Sequence, residues 1–542
     1  MARKPTAVDV AIVGGGVSGL YSAWRLKEAN PKQNIVVYES DYRTGGRLLT
    51  AVPPHAPNLR AELGGMRFLS THRIVAAIAD LFKLDVKDFP VSVGTNIAYL
   101  RGFHFQRQNL DQDLPLPYRL AAHERNKSIG ALMAEALDAI VPGITTIPAD
   151  KRLKKTYASS FRGRPLNEWG FWNALYQVMS AEAYQFVVDA SGYDTTVSNW
   201  NAADALPWFL ADFGASVVYK FPREGMQSIP DGIRTRFVDV LGGQVLLHHT
   251  VTRIAKNGGT IRLEFDDKPD VDAKQVVLAM PRRSLELIDL ADLFGNESPR
   301  VNALIESVSP QPLFKLFACY ERPWWTEAKP FWSDTPLGIT QGQSTSDIPI
   351  RQTYYFGSEN QPVGEPKNPK SKNTNSLLMA TYDDGRNIRY WIGFLREDKP
   401  KPYPGGGGSI EWQHNPAPAR LVDEVHRLLA EMHGVPIENV PRPYAAAYRD
   451  WGLDPFGGGY NLWKIHTNSI EVARDIVKPV NGVPVHICGE AYSHDQGWVE
   501  GAFETAEDML QRCFGLKEPA WLRGTPQAPS GASTGESATL RY

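Results

Sequence analysis

An apolar, β-branched run that stops at three glycines constrains this chain more than any other feature. Residues 8–13 read VDVAIV and Gly14–Gly16 follow at once; beyond them Leu20, Tyr21, Trp24 and Leu26 recur at roughly helical spacing, and a second β-rich run, Ile35–Tyr38, ends at Glu39. The pattern predicts strand, tight turn, helix and strand, a βαβ unit. Within it, Gly14-x-Gly16-x-x-Gly19 has a physical logic: Gly14 permits the turn, Gly16 lets a pyrophosphate reach the backbone, and Gly19 allows close helix–strand packing. The helix start, at Val17 and Ser18, turns free N–H groups and a positive dipole end towards the phosphates. Glu39, 20 residues beyond Gly19 and followed by Ser40, stands where an acid accepts hydrogen bonds from ribose hydroxyls. Glycine clusters also make ordinary turns, but the flanking strands and the acid favour a dinucleotide. The acid disfavours a 2′-phosphate and does not choose between NAD and FAD.

With 542 residues, the chain exceeds one hydrophobic core, so two or three domains are expected. A net charge of -2 and the lack of a basic cluster argue against nucleic acid as a partner. The three cysteines, Cys319, Cys488 and Cys513, show no CxxC spacing, so neither a disulfide framework nor a metal site is expected. No stretch approaches the roughly 20 apolar residues of a membrane span. The N-terminal apolar run is too short and too soon glycine-rich for a signal peptide, which makes a cytoplasmic setting the expectation.

Further along, SIGALMAEALDAIV at 128–141 has helical periodicity within a mostly helical stretch, and residues 245–280 alternate like strands. Residues 357–376 and 398–418 are rich in Pro, Gly, Lys and Asn and read as surface loops. Residues 517–542 lack periodicity and are expected to be a disordered tail.

Two more glycine motifs point to a flavin. Residues 45–48 read Gly-Gly-Arg-Leu and residues 61–68 read Ala-Glu-Leu-Gly-Gly-Met-Arg-Phe. Taken bare, Arg47 is a cation after a turn; placed after Glu39 and Gly46, it is positioned to reach a diphosphate. Gly64 and Gly65 let backbone approach a flat ring, and Met66 and Arg67 follow. Arg67 offers the planar fork that grips a carboxylate bidentately.

Here the sequence resembles the flavin amine oxidase superfamily, and within it the L-amino acid oxidase branch, from residue 8 to about 513. The markers, in the family's order, are IVGGGVSGL (12–20), YES…TGGRL (38–48), AELGGMRF (61–68), EGMQSIP (224–230), TVTRI (250–254), LFKLF (313–317), MATYDDG (379–385) and CGEAYSHDQGWVEGAFETA (488–506). The resemblance implies an α/β fold, α+β overall: a Rossmann-like FAD-binding domain from residues 1–50, 220–306 and 478–516, an interleaved mixed-sheet substrate domain from 51–120 and 307–477, and a helical domain over 121–219. It further implies that Arg67 clamps a substrate carboxylate with help from Tyr382, and that Gly497 and Trp498 line the flavin and receive the substrate amine, next to Val499. Glu490 would meet the ribityl or phosphate end, Val251 the adenine, and Lys315 a water against flavin N5. In related monoamine oxidases a cysteine tethers the flavin within a glycine-rich segment. The counterpart here, DPFGGGYNLW (454–463), has none, so the FAD is expected to be non-covalent, with Tyr460 and Trp463 walling the substrate. In the 199–213 region, where animal relatives place a histidine that recognises the substrate side chain, no counterpart aligns, and Trp208 and Phe209 are looser candidates for that role.

The activity implied is oxidative deamination of L-amino acids, broad and including large apolar side chains, with O2 as acceptor and 2-oxo acid, ammonia and hydrogen peroxide as products. The motifs supply no evident general base beside Cα, which fits hydride transfer from a neutral amine with the hard chemistry left to the cofactor. An amino acid 2-monooxygenase, giving amide and carbon dioxide, is the nearest alternative, and an amine or polyamine oxidase the next. Related enzymes are commonly dimers or dimers of dimers, so a homodimer or higher oligomer is expected.

Overall fold

The computed structural model describes residues 6–112, 114–213, 217–395 and 401–523. The opening βαβ unit forms as the sequence predicts: β1 (Thr6–Val13), α1 (Val17–Ala29) and β2 (Ile35–Tyr38). β1 lies parallel between β2 and the strand Val271–Ala279. Beyond β2 comes Gln244–Leu246, also parallel. The second half of Val271–Ala279 pairs with parallel Val485–Cys488, and its first half with antiparallel Thr260–Phe265, which is followed by Val251–Asn257. Five parallel strands with covered faces explain why the runs are continuously apolar rather than alternating. The helix Val499–Phe514 packs beside α1, and its Glu507 accepts a hydrogen bond from Tyr21 Oη at 2.7 Å. The strand-like region 245–280 is broken between Leu246 and Val251, where His248 takes a positive φ of 56°.

The larger second sheet runs Ala445–Asp450, Leu313–Tyr320, Ser376–Asp384, Gln352–Ser358, Gly342–Ser346, Ile97–Leu100 and Phe103–Gln106. Its register places Lys315 directly across from Tyr382, which brings their side chains to one face. A small sheet of Phe68–Leu69, Tyr219–Pro222 and Val86–Asp88 sits where the chain leaves Arg67. The helical stretch contains Ile129–Ile140, Ala149–Tyr157, Ala181–Ser191 and Ala202–Asp212. Ser128 caps the first of these by accepting from Ala131 N, so the periodic segment 128–141 begins on its cap.

The two loop-like stretches are mostly irregular, with a short strand at Gln361–Pro362 and one helical turn at Ile410–Gln413; residues 396–400 lie outside the described residues. The expected tail needs correcting at its start. Residues 517–523 are docked: the Trp521 indole stacks on Trp24 with centroids 5.5 Å apart and planes 8° apart, Leu522 is buried, and Lys517 O accepts from Arg25. Aromatic area was enough to order a segment without periodicity. Residues 524–542 lie outside the described residues. Among the described residues, no helix is long and apolar enough to cross a membrane, and no group of three or more His, Cys, Asp or Glu is placed to hold a metal ion.

Candidate active site

A cleft of about 540 Å³ opens at the carboxyl ends of β1, β2 and Val271–Ala279, where open α/β sheets bind ligands. Gly14, Gly16, Val17, Ser18, Glu39, Ser40, Gly46, Arg47, Gly65, Val251, Glu490, Gly497, Trp498 and Val499 all line it. Gly14 has φ +104°, and a Cβ there would stand 2.6 Å from Ala279 O. Gly19 does not face the cleft; its added Cβ would lie 2.0 Å from Gly14 O, so its role is helix–strand contact. At Gly16 a Cβ would find no protein atom nearer than 3.9 Å, so nothing in the protein requires a glycine there. No side chain caps α1, and its first turn carries no acid. An open cradle before an uncapped helix start is what a phosphate needs, and the site fits a dinucleotide.

Glu39 accepts from Gly15 N at 2.6 Å and Asp41 N at 2.8 Å. Burial raises its carboxyl above the usual range, while those backbone bonds pull the other way. Arg47 spans the cleft to Glu490 (2.9 Å) and to Gly459 O (3.0 Å). Glu490 also accepts from Gly497 N at 2.7 Å and from Asn461 N and Nδ2 at 3.1 Å. One carboxylate thus fixes the Gly497–Trp498 turn and the strand bearing Tyr460. None of the three cysteines lines the cleft.

Adjoining the cleft through Arg47, Gly65, Gly497 and Trp498 is a smaller chamber of about 120 Å³, walled by Gly64, Met66, Arg67, Tyr193, Trp208, Asp212, Lys315, Tyr382, Trp451 and Tyr460 among others. Gly64 and Gly65 are held by their N–H groups to Leu49 O and Arg47 O, which aims the next residues into the chamber. Arg67 is 9% exposed. Its guanidinium donates to Tyr354 Oη (3.1 Å) and Tyr193 Oη (3.3 Å) and lies 4.4 Å from the Tyr219 ring centre. Among the described residues no carboxylate is within ion-pair distance of it, although a buried charge normally demands one. Lys315 is buried and donates to the carbonyls of Glu62 (3.1 Å) and Gly64. Burial holds its ammonium well below the usual lysine range, against the pull of Glu62. Its Nζ lies 4.9 Å from the Tyr382 ring centre. Tyr460 shares hydrogen bonds with Thr195 and Asp384.

Two of the sequence candidates are corrected. Trp463 does not wall the chamber: it is 1% exposed and donates to Ser493 O at 3.1 Å. It shares the strand Tyr460–Trp463 with Tyr460, and an offset of three residues sends the two rings to opposite faces. Phe209 is fully buried in the helical core, whereas its neighbour Trp208 faces the chamber and donates to Gln496 O at 2.8 Å. Sequence reasoning missed Tyr193, Tyr219 and Tyr354, the aromatic box around Arg67. They come from a helix end and two different sheets, and no spacing connects them. It also missed Asp212 and Trp451.

A model of the family described as flavin-containing amine oxidoreductase matches residues 17–399 and 403–509. Among curated proteins, aplysianin-A of Aplysia kurodai is 26% identical over 94% of this chain and 90% of its own length, and achacin of Lissachatina fulica is 24% identical over 94% and 93%. An L-amino-acid oxidase of Echis ocellatus is 25% identical over 92% of this chain and 87% of its own. Among solved structures, wild-type putrescine oxidase bound to putrescine superposes with a TM-score of 0.64 at 18% identity, over 93% of this chain and 99% of that one, a likeness of fold.

Proposed function

The chain belongs to the flavin-containing amine oxidoreductase family, and we propose that within it the protein is an FAD-dependent L-amino acid oxidase. The observation that carries the reading is Arg67: a buried guanidinium at the chamber wall, held by phenols and, among the described residues, paired with no carboxylate. A substrate carboxylate supplies the missing partner in bidentate form, whereas an amine substrate leaves the charge uncompensated. The absence of cysteine from the cleft supports non-covalent FAD, and the L-amino-acid oxidase among the relatives supports the substrate class.

A flavin held by the Gly14–Gly16 turn, Glu39 and Arg47 would supply the two-electron oxidation at Cα with O2 as final acceptor, for the balance amino acid, O2 and water to 2-oxo acid, ammonia and hydrogen peroxide. The protein's part is placement. Arg67 and Tyr382 fix the carboxylate, and the Gly497–Trp498 turn, clamped by Glu490, faces the amine. Holding reactants in such a geometry is worth several kcal/mol. Lys315, tied to Glu62 O and Gly64 O, keeps a polarisable donor at the inner wall to serve the oxygen step.

The test is Arg67→Ala, with Arg67→Lys beside it. We expect kcat/KM for L-amino acids to fall by about 100-fold or more while the yellow flavin spectrum is retained, with partial rescue by lysine. An unchanged kcat/KM removes the assignment, and amide with carbon dioxide in place of 2-oxo acid and peroxide identifies the monooxygenase reaction instead.

A further inference from the structure

Asp212 ends the helix Ala202–Asp212, and the residue lines both the chamber and a further cavity of about 220 Å³ that reaches the exposed Val218. The residue is 7% exposed and anchored, because its carbonyl accepts from Tyr219 Oη at 2.9 Å. Yet Oδ1 is buried with no hydrogen-bond partner, and no ion pair satisfies the carboxyl among the described residues. A buried polar atom left unpaired costs about 1–3 kcal/mol, so a native structure that keeps one at a cavity wall is asking for a ligand group.

The charges around it say which group. The charges that Asp212 feels are Arg67, favourably, and Asp495, unfavourably. In the proposed oxidase the substrate carboxylate occupies Arg67 and cancels the one favourable field. The α-amine must be neutral to release hydride, so it brings no replacement. A leucine or phenylalanine side chain would then sit beside a buried, unpaired acid. A second positive charge, at the far end of the substrate, removes the imbalance. We infer that Asp212 is the specificity-determining residue for basic L-α-amino acids, receiving the side-chain ammonium or guanidinium. The Tyr193, Phe213 and Tyr354 rings that line the same cavity give the methylene stem an apolar path. Burial raises the Asp212 carboxyl to about 7 in the free protein, and an arriving cation shifts it back towards the ionised form.

This inference rests on the amino acid oxidase reading and replaces the broad preference expected from the sequence, large apolar side chains included, with a basic one. It is tested with the FAD-loaded enzyme by peroxide release from L-arginine, L-lysine, L-leucine and L-phenylalanine, for the wild type and Asp212→Asn. We expect the wild type to prefer the basic pair, and the Asn variant to lower the arginine-to-leucine ratio of kcat/KM by about 100-fold. If Asp212 merely balances Arg67, both substrates fall together and the ratio is unmoved, which overturns the inference. A wild type that prefers leucine or phenylalanine overturns it even where the variant does not fold, while leaving the oxidase reading intact. Oxidation of no amino acid at all removes both.

Discussion

Gly16 lines the cleft and Gly64 the chamber beside it, and the two are glycines for opposite reasons. Gly16 has ordinary extended geometry (φ -73°, ψ -174°) and free space where a Cβ would go, so only a ligand needs it bare. Gly64 is needed by the protein, because a Cβ there would lie 2.1 Å from Arg47 O and 2.8 Å from Leu49 N. Gly16→Ala is therefore expected to melt within about 1 kcal/mol of wild type as apoprotein and to bind FAD markedly more weakly in a flavin fluorescence titration. Gly64→Ala is expected to lose about 3 kcal/mol or more of folding stability. Equal FAD affinity for wild type and Gly16→Ala would sink the phosphate assignment.

At the scale of elements, the helix Ala419–His433 meets the larger sheet through an apolar face, through Glu431 bonded to Tyr99 and His104, and through one buried histidine. His433 is fully buried; its Nδ1–H donates to Leu429 O at 2.7 Å, and its Nε2 accepts from Tyr355 Oη at 2.9 Å on the strand Gln352–Ser358. Both partners are met by the neutral ring, and burial lowers the imidazole to about 4. In the unfolded chain it protonates near 6.5. Between those values only the unfolded state takes up the proton, so stability falls as pH drops from about 6.5 towards 4, by roughly 2–4 kcal/mol from this group. Urea titrations of wild type and His433→Gln across that window should show the wild type losing the more; parallel curves refute the assignment. None of this was legible beforehand. The βαβ opening was, because its glycines, its acid and its periodicity are local facts. Trp463 was misread because a glycine-rich segment announces a wall without saying which face each ring takes, and a three-residue offset on a strand decides that. The box around Arg67 was invisible for a different reason: Tyr193 and Tyr354 lie 126 and 287 residues away from it, and only the completed sheets bring them together.

For the whole molecule, residues 517–523 act as a clasp. Trp521 on Trp24, Lys517 O on Arg25 and Glu518 on Arg73 tie the end of the described chain to α1 and to the helix Arg73–Leu81. A chain stopped after residue 516 should lose about 3 kcal/mol or more, through the half-buried, stacked Trp521 indole and the buried Leu522 together, whereas one stopped after residue 523 keeps this contribution. Thermal melts of the two truncations decide it, and identical midpoints would mean the clasp contributes nothing.

The sheet that builds the cofactor cleft has a spatial order unlike its order in the chain: β1 lies against Val271–Ala279, and that strand against Val485–Cys488. A ribosome therefore releases the glycine turn hundreds of residues before the walls that complete it. During synthesis β1 is an apolar strand with an open edge until Val271–Ala279 emerges to pair with it, a state prone to mispairing. Completion of the cleft thus waits on residues 485–502, far along the chain from the turn that opens it.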